Sequence, residues 1–407
     1  MQRRRMLSWL GLGLLGLGSG AVARARTQRM THHEAENKTD PVTLFLCGDV
    51  MTGRGIDQVL PNPSSPEIYE SYMTSALGYV EIAEEANGPI PAPVAFDYIW
   101  GDALTEFIRV APDLRLINLE TAVTRSDSYW PSKGINYRMH PDNFPCIEAA
   151  GIDGCILANN HVLDWGYDGL KETLDTVEAA GIKTIGAGYN GKEAKAPAIF
   201  ELAGGRRVMV LAFAHPSSGV PRAWRAGPGR AGVRLMESLS EAGIEEVASQ
   251  VATVKQAGDL VVVSIHWGGN WGYPIAREQQ RFAYGLIDRA GVDVVHGHSS
   301  HHPKGIEIYH DRLILYGCGD FLNDYEGIGG FPQYRDDLTL MYFLTLEPHS
   351  GRLLRLQMTP MQIRRFRLQT PSMQDRRWLA QTMGRECGRL GAGIKENAQG
   401  RFELYWQ

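Results

Sequence analysis

From residue 41 onward the chain alternates short apolar runs with amphipathic stretches. Residues 42–47, 114–117, 155–158, 183–186, 207–213, 260–265 and 292–296 read as short buried strands. Helical spacing falls between several of them. Over 168–180 it puts Leu170, Leu174 and Val177 on one face, and over 239–256 Ile244, Val247, Val251 and Val254. Over 277–290 it carries Phe282, Leu286 and Ile287, then stops at Gly291, a good C-terminal cap. Past residue 300 the texture changes. Residues 306–309, 313–316, 338–346, 353–358 and 363–368 read as antiparallel strands with Gly and Asp at the turns. A helix over 373–390 follows. The pattern predicts a mixed α/β layered fold, with two sheets or one large mixed sheet. Residues 60–95 are an insertion whose amphipathic centre, 69–85, lies between Pro-rich loops. It is either a wall over the site or an extension of the scaffold.

Five of the apolar runs end in a polar knot: Gly48-Asp49, Asn118-Leu119-Glu120, Asn159-Asn160-His161, His266-Trp267-Gly268 and Gly297-His298-Ser299-Ser300-His301. Strand ends in open α/β sheets are where sites assemble. Asp, Glu, Asn and His supply the oxygen and imidazole ligands of divalent metals. Five such knots in order predict one metal centre built from five loops.

Each knot has its own chemistry. Asp49 is a hard oxygen ligand, and Arg54, on a Gly-flanked turn, has the planar fork that matches phosphate or carboxylate. Asn118 and Glu120, two apart on an extended strand end, share one face. Glu120 could bridge two ions, with Asn118 beside it. In the third knot the Asn160 amide can bind a metal, His161 can donate a proton, and Asp164 can orient that imidazole. His266 leaves a buried strand for a Gly-rich loop, a placement suited to ligation. Trp267 and Trp271 are read as walls of a substrate pocket, and Asn118 and Asn159 as substrate-side amides. In the last cluster His298 and His301 are the expected ligands. His296 is assigned to the strand and His302 to the outside.

Composition narrows this picture. The 407 residues are 43% hydrophobic and 21% charged, enough for one large domain with extensions or for two domains. A net charge of −5 leaves no global basic field, so nucleic acid is not an expected partner. The local exception, Arg352, Arg355, Arg364, Arg365 and Arg367, reads as a solvated strand face. Arg3-Arg4-Arg5, an apolar run and Ala21-Val22-Ala23 form an export signal, with a twin-arginine look. Cleavage is favoured over retention as a membrane anchor. The five cysteines have no close-paired spacing and read as buried free thiols. The expected organisation is an export signal over 1–25, a linker over 26–40, a main domain over 41–370 and a helical extension over 371–407.

The order of the five knots, followed by Tyr316-Gly317-Cys318-Gly319-Asp320-Phe321, resembles the bacterial capsule-synthesis CapA family. That family is associated with poly-γ-glutamate capsule production and is similar to calcineurin-like metallophosphoesterases. The resemblance spans roughly residues 42–325. It implies an α/β fold of the calcineurin-like metallophosphoesterase type, a layered β-sandwich flanked by helices. It also implies one or two divalent ions, with Mn, Zn and Fe equally suited to the ligands. Carried over by position, Asp49 would bind the first ion, Glu120 would stand at the bridging position, and Asn160 would bind the second ion. His161 would be the catalytic acid, and His266, His298 and His301 would complete the ligands. Four departures stand out: Glu120 replaces the bridging Asp, Gly48-Asp49-Val50-Met51 lacks the His of an Asp-x-His motif, Gly319-Asp320-Phe321 replaces the usual Gly-Asn-Phe, and Gly269-Asn270-Trp271-Gly272-Tyr273 replaces the typical acidic residue and Tyr after His-Trp-Gly. The expected function is an exported metal-dependent hydrolase of capsule or envelope polymer metabolism, acting on a phosphoester or a γ-glutamyl amide. Its partners would be an anionic polymer or phosphoester substrate and membrane capsule-synthesis proteins. The alternative is a non-catalytic polymer-binding component of a synthesis and export complex.

Overall fold

A computed structural model describes residues 40–407. The expected export signal and all but the last residue of the expected linker, residues 1–39, lie outside the described residues. Most predicted elements form within two or three residues of their expected bounds, because each hydrophobic run has a core to fill. The helices run Gly166–Ala179, Glu241–Val254 and Arg277–Ala290, the last closed by Gly291 in the left-handed region at φ 64°.

Two sheets organise the described residues. The larger has 11 strands. Its centre is Val42–Leu46, flanked by the parallel Leu114–Leu119 and the antiparallel Leu338–Leu346. Asp49–Val50 and Gly154–Ile156 also pair in parallel with the 114–119 strand, and Asp320–Leu322 pairs in parallel with Asp49–Val50. The second sheet has six strands, in the order Ile306–Tyr309, Arg312–Leu315, Val294–His298, Leu260–His266, Arg207–Ala214 and Ala198–Glu201.

Strand alternation explains the layering. Val208, Val210, Ala212, Val262, Val294, Leu313 and Leu315 face the larger sheet and join its core. Their neighbours Met209, Leu211, Phe213, Val261, Val263, Ile265, Val295 and Ile314 face the other way, onto the helices Glu241–Val254 and Arg277–Ala290. The result is two sheets face to face with helices outside. Phe45 anchors the far side of the larger sheet, edge-on to Phe107 of the helix Ala103–Val110 with ring centroids 4.7 Å apart. All five cysteines are buried free thiols.

The C-terminal part departs from expectation twice. The strand expected to end at 358 runs on as Leu353–Ile363, through Pro360. Pro360 is in register with Leu340 on one edge of its strand, and on the other edge it falls in the gap between the pairings to Glu403 and Phe402 and those to Gln369 and Leu368, where no ladder partner needs an N–H. The strand expected over 363–368 is mostly a tight turn. Arg365 and Phe366 adopt φ 55° and 53°, and their amides donate to Glu326. Beyond the helix Met373–Gly388 the chain is not helical. It forms a hairpin, Ala392–Glu396 with Phe402–Trp406, that extends the larger sheet.

Glu106 ties this hairpin to the domain. Its carboxylate accepts from Arg401 at 2.6 and 2.9 Å, from Arg109 at 2.8 and 3.0 Å, and from Thr359 at 2.9 Å. Burial alone would raise its pKa, but these donors outweigh it and hold the group at about 2, against 4.5 when free. A depressed folded pKa gives stability that is fully present above pH 4.5 and is lost as pH falls toward 2. Glu106→Gln should therefore melt well below wild type at pH 6, with the gap narrowing below pH 4.5 and closing only near pH 2 in a thermal-melt series. A gap independent of pH would contradict this.

Candidate metal centre

The parallel strand ends bring the polar knots together. In the larger sheet Asp49 sits in register with Asn118 on one side and Asp320 on the other. In the second sheet His266 sits in register with His298. The sheets meet where the Ser299 amide donates to Asp49 Oδ2 at 3.1 Å and where His296 Nε2 contacts the Cys47 carbonyl at 2.8 Å.

Asp49, His266 and His298 form the tightest group, with one candidate ligand atom from each lying within 4.8 Å of the others. The two imidazoles approach Nδ1 to Nδ1 at 2.7 Å, and His298 Nδ1 lies 3.7 Å from Asp49 Oδ1. Their outer nitrogens are held elsewhere: His266 Nε2 by Asn160 Oδ1 at 2.8 Å, His298 Nε2 by Ser264 Oγ at 2.9 Å. Glu120 Oε1 closes the group, 3.7 Å from His266 Nε2 and 3.8 Å from His161 Nε2. The Asn118 amide nitrogen bridges Asp49 at 2.7 Å and Glu120 at 3.1 Å.

The electrostatics are those of a cation site. Burial and the neighbouring Asp320 carboxylate push Asp49 up to about 7. Burial, with Asp49 next, pushes Glu120 well above its ordinary range. Burial also holds His266 and His298 far below ordinary histidine. Buried carboxylates repelling each other beside neutral imidazoles are what a divalent ion relieves, and the donor set of imidazole and carboxylate suits one.

His161 stands at the edge of this group. Its Nδ1 lies 2.6 Å from Asp164 Oδ2, which also accepts from the Tyr137 amide at 2.7 Å. Lys133 Nζ lies 2.5 Å from Asp164 Oδ1 and 2.9 Å from His161 Nδ1. Burial and the Lys133 ammonium lower the imidazole to about 4, so the ring is neutral at pH 7. His301 contacts Asp320 through Nδ1 at 2.9 and 3.1 Å. Burial opposes charge on that ring, but the carboxylate outweighs it and raises its pKa.

Several expected site residues take other places. Arg54 faces inward: its guanidinium is 1% exposed and is held by Asp324 at 2.5 and 2.9 Å and by Glu70 at 2.9 Å, which leaves no free fork for a substrate anion. Trp267 is core, not a pocket wall. Its indole N–H donates to the Tyr316 carbonyl at 3.0 Å, and the two rings stack. Trp271 is the tryptophan on the site side, 5.2 Å from the His301 ring. His302 is fully buried rather than outside; its Nε2 accepts from the Gly272 amide at 3.0 Å and its ring stacks on Tyr334. His296 lies in its strand as expected. Asn159 holds the loop itself: its amide nitrogen donates to Asn118 Oδ1 and the Leu119 carbonyl, and its oxygen accepts from the His161 and Val162 amides. Sequence reasoning missed two residues. Lys133 lies in an irregular loop with no pattern to mark it. Asp320 does carry a signal, since it follows Gly319 at the start of a strand.

The sequence model of the family described as "Bacterial capsule synthesis protein PGA_cap" matches residues 43–325. A probable polyglutamine synthesis accessory protein of Mycobacterium tuberculosis is 48% identical over 325 residues, covering 80% of this chain and 85% of that one. The PGA biosynthesis protein CapA of Bacillus subtilis is 26% identical, covering 80% and 72%. A crystal structure titled as a novel phosphatase from Mycoplasma pneumoniae aligns over 84% of this chain and 97% of its own, at 12% identity and a TM-score of 0.44. With a family match over most of its length, the chain belongs to the bacterial capsule synthesis protein family, as the order of its polar knots implied.

Proposed function

We propose that this protein is an exported, divalent-metal-dependent hydrolase of polyglutamate or envelope polymer metabolism, cleaving a phosphoester or a γ-glutamyl amide. The observation that carries the reading is His161: a neutral imidazole backed by Asp164 and Lys133, with Nε2 3.8 Å from a carboxylate of the candidate metal centre. A purely structural site has no use for such a group. Asp49, His266 and His298 would hold the ion, with Glu120, Asn160 and His301 around it. When bound, the ion supplies Lewis-acid polarisation of the attacked group and an acidified water. The chain's own residues do the rest. Asn118 bridges Asp49 and Glu120 through its amide nitrogen and so aligns them. With Nδ1–H donated to Asp164, the free Nε2 of His161 first takes a proton from the attacking water and then gives it to the leaving group, ending neutral again. Asp164 steadies the charge the ring takes on in that step.

The names of the relatives support the polymer side of this reading, since both are described by polyglutamine synthesis or PGA biosynthesis. The basic apolar start of the chain supports export. The test is hydrolysis of aryl phosphoesters and γ-glutamyl peptides by protein loaded with Mn, Zn or Fe. Turnover that chelation abolishes and metal restores is the expected result. No turnover with any of these, together with retention of poly-γ-glutamate on the protein, would replace this reading with a polymer-binding role in a synthesis complex.

A further inference from the structure

We infer that Asp320 is the positioning residue for His301, fixing that imidazole as a cation ligand. The inference rests on the divalent-ion reading given above. Asp320 opens the strand Asp320–Leu322 and is 1% exposed. Its strand runs parallel to Asp49–Val50 with the two aspartates in register, and the Asp49 amide donates to the Gly319 carbonyl at 2.9 Å. That close approach needs Gly48: a Cβ there would fall 1.6 Å from the Gly319 oxygen. The backbone thus sets the carboxylate beside Asp49 and under the His301 loop.

The contacts of Asp320 are those of a holder. Oδ2 accepts from Asn323 Nδ2 at 2.8 Å, which fixes the carboxylate plane. Both oxygens lie within 3.1 Å of His301 Nδ1. The carboxylate can only accept, so Nδ1 carries the hydrogen and Nε2 is left as the nitrogen that can bind a cation. The ring is fixed on its other sides as well. Trp271 packs at 5.2 Å, Tyr325 meets it edge-on at 5.3 Å, and the His301 amide donates to the Asn270 carbonyl at 3.0 Å. A carboxylate on the remote nitrogen of a ligating histidine sets its tautomer, its direction and its basicity. A plain ion pair would have no need of this second clamp by Asn323.

The test is calorimetric titration of the metal-stripped full-length protein with Mn²⁺ and Zn²⁺, comparing wild type, Asp320→Ala, Asp320→Asn and His301→Ala. Asp320→Ala should weaken ion binding by about 10- to 100-fold. Asp320→Asn, which keeps an oxygen for Nδ1–H, should lose less. The loss on removing Asp320 should vanish in the His301→Ala background, because the carboxylate acts through that ring. The visible absorption of Co²⁺-loaded protein should shift in Asp320→Ala, which a role in folding alone would not produce. If Asp320→Ala does not fold, the comparison of Asp320→Asn with wild type, in both backgrounds, carries the test. Ion binding in wild type that the variants match, or an Asp320 effect that persists without His301, would overturn this inference alone. A wild type that takes up no ion would overturn the hydrolase reading as well.

Discussion

Replacing Arg54 with alanine should cost about 3–5 kcal/mol of folding stability, among the largest losses expected from any single substitution in this chain. The guanidinium is buried between two carboxylates, Asp324 and Glu70, and lies flat over the Tyr79 ring at 3.6 Å and near the Tyr137 ring at 4.5 Å. Removing it leaves two acids facing each other in a dry interior, with no counter-charge. It also loosens the insertion over residues 60–95, whose Glu70 and Tyr79 both bear on Arg54. Lysine should recover only part of the loss. It keeps the charge but cannot serve two carboxylates and a ring face with one fork. Urea unfolding of wild type, Arg54→Ala and Arg54→Lys checks the order. An alanine variant as stable as wild type would return Arg54 to the substrate-facing role that its Gly-flanked turn first suggested.

The second large effect is on chemistry. His161→Ala should lower the rate of hydrolysis by about 10²–10⁴-fold, the usual worth of a positioned proton-transfer group. Metal content should not change, because His161 is not among the residues expected to hold the ion. Asp164→Asn should give a smaller loss of the same kind, since it weakens the acceptor that fixes the Nδ1 hydrogen. Steady-state rates set beside metal analysis of the same samples separate the two roles. Lost metal in His161→Ala would make the residue a ligand, and an unchanged rate would remove it from the reaction.

How much of this was legible in the sequence depends on which physical signal each element carries. Strands buried on both faces announce themselves as apolar runs, so the central strands of both sheets and their polar ends could be read directly. The five knots converge because parallel strands present their C-terminal ends on one side. Short-range direction was harder. Arg54 has φ 56°, and that unusual turn sends its side chain inward to Asp324, 270 residues away. Trp267 and Trp271 are alike in sequence, and only the path of the Gly268–Gly272 loop decides which one packs against Tyr316. His302 was expected outside, but its loop turns back under Trp271 and Tyr334. The terminal hairpin was hidden because Ala392–Glu396 is short and only partly buried, with its partner strand six residues on. Lys133 left no trace, since a lysine in a loop becomes meaningful only when Asp164 is beside it.

The central claim is that Asp49, His266 and His298 hold a divalent ion, and metal content tests it most directly. Elemental analysis of purified wild type, Asp49→Ala and His298→Ala should find about one to two transition-metal ions per wild-type chain and a loss of metal in both variants. A metal-free protein, whose fold and melting are indifferent to added Mn or Zn and to either substitution, would contradict it.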